Sequence, residues 1–350
     1  MNDLTLQPPP RPLSVTTLRT IGVVALLTVI SGLFFYKWGS AYRAVTAVQA
    51  GQLKLSADPL LLGTLWSSTL AYFQKVWLAL VYGVVISALL RVVVPANWVA
   101  QRLGAKGVGT TLTATLIGAP LMLCSCCVSP LFAALSQRGA RLGPSLSVML
   151  AAPGLNLAAL TLTFALLPAP LGVARLLGAL TLIFFAAPVI GRAFERTLPP
   201  VAENCELPPA DELQAMTAGA FGMKLLQSLG ETMKRTLPVM LAGVALSALL
   251  LPLIRVLGQP PAPLLIGLVA VLGVLVALPS FFELPLALLL FEVDPSGGAA
   301  AAFLIAGPII NLPSLLVVAK ESKPRVALWL GAATWVVATT FGLALSAFSR

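Results

Sequence analysis

Long apolar runs alternate along this chain with short polar interruptions. A bilayer crossing takes roughly 20 apolar residues. Runs near that length occupy residues 20–36, 75–94, 143–167, 171–190, 235–257, 298–319 and 326–348. Two further apolar runs, 108–135 and 263–291, carry internal prolines, Pro120 and Pro130 in the first and Pro279 and Pro285 in the second. A mixed loop over 37–65 holds Lys37, Arg43, Lys54 and Asp58. The longest polar stretch, 191–234, contains Pro199-Pro200, Pro208-Pro209 and the acids Glu195, Glu203, Glu206, Asp211 and Glu212, the pattern of a solvent linker. The segment before Arg19 is Pro-rich, and no small-residue cleavage pattern follows the first apolar run, which therefore predicts a retained anchor.

The breaks in the apolar runs recur at a fixed distance. Pro285 lies 155 residues after Pro130, Pro308 lies 155 after Pro153, and Asn311 lies 155 after Asn156. Upstream, Gly83-Val84-Val85-Ile86-Ser87-Ala88-Leu89-Leu90 is answered 160 residues later by Gly243-Val244-Ala245-Leu246-Ser247-Ala248-Leu249-Leu250. Duplicated interruptions of apolar segments point to the binding site of a transporter. The expected organisation is an N-terminal tail, first span and extracytoplasmic loop over 1–63, a first transmembrane repeat over 64–190, a cytoplasmic linker over 191–234 and a second repeat over 235–350.

Composition fixes the class. With 350 residues, 58% hydrophobic, 10% charged and a mean hydropathy of +0.96, the chain falls far below the roughly 25% charge of a soluble domain. The net charge of +10 sits mostly on residues flanking apolar runs, so it reads as a topology signal and no nucleic-acid partner is expected. If runs 108–135 and 263–291 each crossed the bilayer, Lys and Arg would divide nine to twelve between the faces, with Arg175 inside a span. As re-entrant hairpins they give fifteen to six, with Lys37, Arg43, Lys54, Lys75, Arg255 and Arg350 on the minority face. The positive-inside rule favours hairpins and a cytoplasmic N-terminus. Residues 108–120 reach the midplane without crossing it, and Pro120 and Pro130 are expected to bracket a stretch that loses helical hydrogen bonds. Three crossings and a hairpin per copy make the copies inverted. The predicted fold is an all-α polytopic membrane protein of two inverted repeats, each with a re-entrant hairpin and a broken transmembrane helix, in a bacterial cytoplasmic (inner) membrane.

The chemistry concentrates at the hairpin tips and helix breaks. In the first copy these hold Cys124, Ser125, Cys126 and Cys127 with Asn156; in the second, Ser280, Phe281, Phe282 and Glu283 with Asn311. Cys124 aligns with Pro279, so the thiols have no counterpart. The absence of His excludes a His metal site, general base or proton relay. Thiolates favour soft ions such as Cu(I) or trivalent arsenic, which makes Cys124, Cys126 and Cys127 candidate transient ligands without a permanent metal or cofactor. Glu283 is the carboxyl residue expected in the apolar zone, fit to carry a coupling proton or meet a cation. Asn156 and Asn311 suit a polar pocket or a helix cap equally. Pro120, Pro130, Pro153, Pro279, Pro285 and Pro308 are read as structural breaks, and Cys205, in the linker, as an inert reduced thiol.

Pro120-Leu121-Met122-Leu123-Cys124-Ser125-Cys126, Ser129-Pro130-Leu131, Arg138-Gly139-Ala140, Gly143 and Ala151-Ala152-Pro153-x-x-Asn156 resemble the predicted-permease family that includes the ArsP organoarsenical exporters. The second-half run Gly298-Ala299-Ala300 through Ala306-Gly307-Pro308-x-x-Asn311-Leu312-Pro313 is also similar. The likeness extends from about Pro95 to the C-terminus and departs at Cys127, where the family usually has Gly. It implies a permease. The leading expectation is a secondary transporter exporting a small thiol-reactive or soft-metal species, its partners the lipid bilayer and that small-molecule or ion substrate; a homo-oligomer is compatible with the sequence. The alternatives are a membrane thiol-disulfide oxidoreductase using Cys124 and Cys127, and a structural or assembly subunit.

Overall fold

The computed structural model describes residues 15–49, 96–195 apart from 106, 262–277 and 283–348, with short pieces between 77 and 89 and between 222 and 238. Every regular element among these is helical. In chain order they are α1 (Val15–Gln49), α2 (Ala96–Leu103), α3 (Val108–Gly118), a 3-10 turn (Ala119–Leu121), α4 (Ser125–Gln137), α5 (Leu142–Gly154), α6 (Leu157–Leu166), α7 (Ala169–Thr181), a π turn (Leu182–Ala186), α8 (Ala187–Glu195), α9 (Ala262–Leu275), α10 (Glu283–Val293), α11 (Gly298–Ile309), α12 (Leu312–Glu321) and α13 (Pro324–Phe348). The 75–94 span is described only in part, helical over 77–78, 81–82 and 84–89. Nearly all of the 235–257 span lies outside the described residues, as do Cys205, Pro279 and 280–282.

Three helical stretches, Thr20–Gly39, Ala169–Phe194 and Pro324–Phe348, are long and apolar enough to cross a membrane, and up to five if each bent pair counts as one span. α5 and α6 meet at 41°, α11 and α12 at 43°. The helices end one residue beyond Pro153 and Pro308, and the chain resumes helical geometry at Asn156 and Asn311, which cap α6 and α12. Each proline lacks the N–H of its last turn, so the turn closes poorly and the chain bends just past it. Pro130 behaves differently from expectation. It lies inside α4, five residues past its start, so the irregular backbone of this tip is confined to Met122–Cys124 instead of extending to Pro130. At the sixth position of α4 it removes one i→i−4 bond, the one to the Cys126 carbonyl, and the helix continues past it to Gln137. Pro120 stands in the 3-10 turn and Pro285 in the first turn of α10.

α5 and α11 form the centre. Leu142–Gly154 is buried apart from Pro144, and Gly298–Ile309 apart from Pro308. A helix apolar on every side belongs in an interior, and the Gly, Ala and Ser content of this pair lets neighbours approach closely. The outer helices show large apolar side chains to their surroundings, among them Phe35 at 72% exposure on α1 and Leu328 at 72% on α13, as a lipid-facing surface requires.

The packing repeats with the sequence. α3 and α4 pack on α5 as α9 and α10 pack on α11; α8 closes on α5 as α13 closes on α11; and α4 touches α12 while α10 touches α6. Two close approaches are duplicated. A Cβ on Gly118 would lie 3.0 Å from the Ala151 Cβ, and one on Gly273 would lie 2.8 Å from the Ala306 Cβ, with both partners shifted by 155. Likewise a Cβ on Gly191 would meet the Gly143 backbone at 2.6 Å and one on Gly342 the Gly298 carbonyl at 2.7 Å. In each copy the central helix is thus clamped through glycine on both sides.

Candidate functional site

The tip between α3 and α4 is held in an unusual backbone. Met122 has φ 48 and ψ 31, and among the described residues no other side-chain-bearing residue has positive φ. That conformation costs about 1–3 kcal/mol and persists only where the surroundings enforce it. Here Met122 is buried and its carbonyl accepts a hydrogen bond from Asn156 Nδ2 at 3.3 Å. The reversal leaves Cys124 extended at the N-cap of α4, its carbonyl accepting the Val128 N–H at 3.0 Å.

Three sulfurs gather at this tip within 4.8 Å of one another. Cys126 and Cys127 are buried and Cys124 is half-buried. Cys126 Sγ lies 3.3 Å from that of Cys124 and 3.8 Å from that of Cys127. Cys124 and Cys127 are joined as a disulfide across a Cα–Cα distance of 5.2 Å, while Cys126 keeps its thiol. A set of three thiolates suits a soft ion or metalloid. With the bridge closed, Cys126 alone offers a ligand sulfur. Ser125, also buried, opens α4, and its carbonyl accepts the Ser129 hydroxyl at 2.9 Å.

Asn156 joins this tip to the broken helix. Its Nδ2 holds Met122, while its Oδ1 accepts the Ala159 N–H at 3.2 Å as the cap of α6. Asn311 caps α12 more tightly, in a capping box where Ser314 N donates to Asn311 Oδ1 at 3.2 Å and Asn311 N donates to Ser314 Oγ at 3.0 Å. α12 packs on the cysteine-bearing α4, and Gln137 at the end of α4 donates to Glu321 at the end of α12 at 3.0 Å.

Glu283 opens α10, is buried, and pairs with Arg175 Nη2 of α7 at 3.3 Å. Arg175 is 0% exposed, and its Nη1 donates to Thr163 Oγ1 at 2.9 Å. Thr163 in turn donates to the Ala159 carbonyl at 2.7 Å. One polar path therefore runs from Glu283 through Arg175 and Thr163 to the first turn of α6, and from there through Asn156 to the cysteine tip. Lys37 is a buried cation that sequence reading assigned elsewhere. α1 does not end near Lys37 but continues to Gln49, and Lys37, four residues after fully buried Leu33, is 3% exposed. α1 packs on α6 and on the 3-10 turn. The signal for Arg175 was its position within an apolar run, opposite in sign to the acid of the other copy; Lys37 gave none, since a lysine at the edge of an apolar run reads as a flank.

An enclosed pair of bent helices, a lipid-facing exterior and a polar path at the bends define an all-α, multi-pass membrane protein of the permease class. The chain belongs to the predicted-permease family ArsP_1, whose family profile matches residues 61–347. It is similar to the UPF0718 protein YraQ of Escherichia coli (strain K12), at 29% identity over 336 residues covering 91% of this chain and 93% of that protein. No solved structure matches it.

Proposed function

We propose that the protein exports a small thiol-reactive or soft-metalloid species from the bacterial cytoplasm, through a midplane site between two inverted repeats. In this reading Cys124, Cys126 and Cys127 act as transient ligands, Ser125, Asn156 and Asn311 line the path, and Glu283 serves as the acid of the site. The observation that carries the reading is the clustering of three sulfurs at a tip bonded to the bend of a broken helix. Irregular backbone at membrane depth is tolerated where it lines a substrate path, and bends of this kind mark transporter sites. Ligand binding by all three sulfurs requires the Cys124–Cys127 bridge to be open. Two electrons and two protons from a cellular dithiol, itself oxidised to a disulfide, convert the bridge to two thiols.

The test is survival of a deletion strain, complemented by the parent gene or by the Cys124, Cys126, Cys127 triple Ser variant, across arsenicals, antimony, copper, mercury and selenite. Sensitivity to a thiophile that only the parent gene corrects supports the reading. Full correction by the triple variant sinks the ligand role.

The disulfide favours a second reading, a thiol-disulfide oxidoreductase using Cys124 and Cys127. Acid-quenched alkylation before and after oxidant challenge separates the two. A bridge that cycles with a partner's redox state supports the enzyme, and one that stays open throughout supports the transporter.

A further inference from the structure

A half-open cleft lies at the polar end of the span Ala169–Phe194, where α8 meets the starts of α3 and α5. We propose that it binds the phosphate of an anionic phospholipid between Arg141 and Arg192, with the acyl chains lying along α3 and α8. The cleft holds about 360 Å³ free of protein atoms, the space of about a dozen waters at roughly 30 Å³ each, so a headgroup fits. Arg141 and Arg192 both line it. Arg192 is exposed and pairs with no acid among the described residues. Thr111 lines the same hollow and is only 4% exposed; its carbonyl accepts the Thr115 hydroxyl, while its own hydroxyl has no hydrogen-bond partner among the described residues. A buried polar group in that state calls for a partner, and the cleft is where one can sit. Gly107 and Arg141 are also the N-caps of α3 and α5, and neither helix start is capped by a side chain. The N–H groups of two helix starts therefore add to the pull of two guanidinium groups on an anion.

The second copy shows that the packing does not call for these arginines. Gly143 and Gly191 line the cleft, and their counterparts Gly298 and Gly342 make the same close approach. Shifting Thr111 and Arg141 by 155, and Arg192 by the 151 that separates Gly191 from Gly342, gives Ile266, Ser296 and Leu343. The same glycine clamp closes there without a cation, so Arg141 and Arg192 serve something other than the clamp. The surroundings of the cleft choose a lipid over a free phosphate. Val108, Leu112 and Leu116 form one exposed apolar stripe on α3, at the spacing of successive turns, and Phe185 and Val189 form another on the π turn and α8. α3 packs on the π turn, so both stripes lead away from the same cleft. Basic pockets between membrane helices are suited to anionic headgroups, and the stripes offer the acyl chains a surface that a free phosphate would leave unused.

Thermal unfolding of the full-length protein in a mild detergent, followed by tryptophan fluorescence, tests this with three additives: dioleoyl phosphatidylglycerol, dioleoyl phosphatidylcholine and inorganic phosphate. Phosphatidylglycerol is expected to raise the unfolding temperature saturably. Phosphatidylcholine, whose choline cation offsets the phosphate charge, should do so much less. Arg192→Gln should raise the half-saturating phosphatidylglycerol concentration roughly tenfold, the loss of one charge-assisted hydrogen bond. Arg192→Lys should keep most of the response, and Arg141→Gln carries the test if Arg192→Gln does not fold. Arg102→Gln removes an exposed cation of α2 that does not line the cleft and should leave the titration unchanged. Leu112→Asn should weaken the response by interrupting an apolar stripe. Equal weakening by Arg102→Gln and Arg192→Gln overturns the cleft in favour of a diffuse surface field. Inorganic phosphate matching phosphatidylglycerol at equal concentration overturns the lipid as the source of the anion. An equal response to phosphatidylcholine overturns selection by charge, and unchanged phosphatidylglycerol titrations in both Arg192→Gln and Arg141→Gln overturn the proposal outright.

Discussion

Removing the Glu283 carboxylate separates stability from transport at the centre of the molecule. The Arg175–Glu283 contact is 3.3 Å, with side-chain exposures of 1% and 7%. At an effective dielectric near 20, that separation corresponds to an attraction of about 5 kcal/mol, with little screening at such burial. Glu283→Leu leaves the guanidinium with Thr163 as its one remaining partner among the described contacts. Breaking a buried pair from one side costs about 3–5 kcal/mol, whereas replacing both charges with apolar groups of similar volume is often neutral. The expected pattern is a large loss of stability in Glu283→Leu and recovery of most of it in Arg175→Met/Glu283→Leu. Unfolding of the lipid-embedded protein, followed by tryptophan fluorescence, supplies the double-mutant cycle. The recovered double variant should remain inactive in a survival assay, because the site has lost its charges. A Glu283→Leu protein within about 1 kcal/mol of the parent, or a double variant no more stable than that single one, refutes the account of a charge-held centre.

Three further outcomes follow from named contacts. Asn156→Ser keeps a capping oxygen but cannot reach the Met122 carbonyl, so it should loosen the cysteine tip, read as faster hydrogen exchange there, while Asn311→Ser should leave that tip unchanged. Asn311→Ala should cost about 1 kcal/mol of stability in the same unfolding assay, the usual loss of a cap. Gly191→Leu should destabilise by about 1–3 kcal/mol or abolish assembly, because a Cβ there meets the Gly143 backbone at 2.6 Å, whereas Gly109→Leu, with nothing within 4 Å, should unfold like the parent. In a Cys205→Ser background, denatured protein purified without reductant should take up one maleimide label, at Cys126, and three after reduction, read by mass.

The breaks were legible because proline and asparagine leave a local signature that survives in any apolar context. Pro153 with Asn156 and Pro308 with Asn311 mark bends that the structure puts at 41° and 43°. The extent of the irregular tip was not legible, since Pro130 is as compatible with a helix interior as with a break, and the start of α4 five residues earlier decided between them. Cys126 and Cys127 announced a cluster by their spacing alone. The partner of Glu283 did not, because Arg175 lies 108 residues away and only the packing of α7 and α10 around α6 brings them together. Lys37 was hidden for a different reason. Burial of a long cation depends on which face of a helix meets its neighbours, and α1, exposed along most of its length, carries no strong periodicity to reveal that face.

The same contrast bears on how a symmetric frame acquires a directional chemistry. Gly118 and Gly273, Gly143 and Gly298, and the two bends are matched between copies, so the frame treats both halves alike. Groups that break the match include the sulfurs in one tip and the carboxylate in the other, with Arg175 of α7 pairing that carboxylate. α1 precedes the family profile match, which begins at residue 61, and so lies outside the two duplicated halves. The glycine contacts that hold the two central helices can therefore stay matched while the groups at their bends differ between the halves.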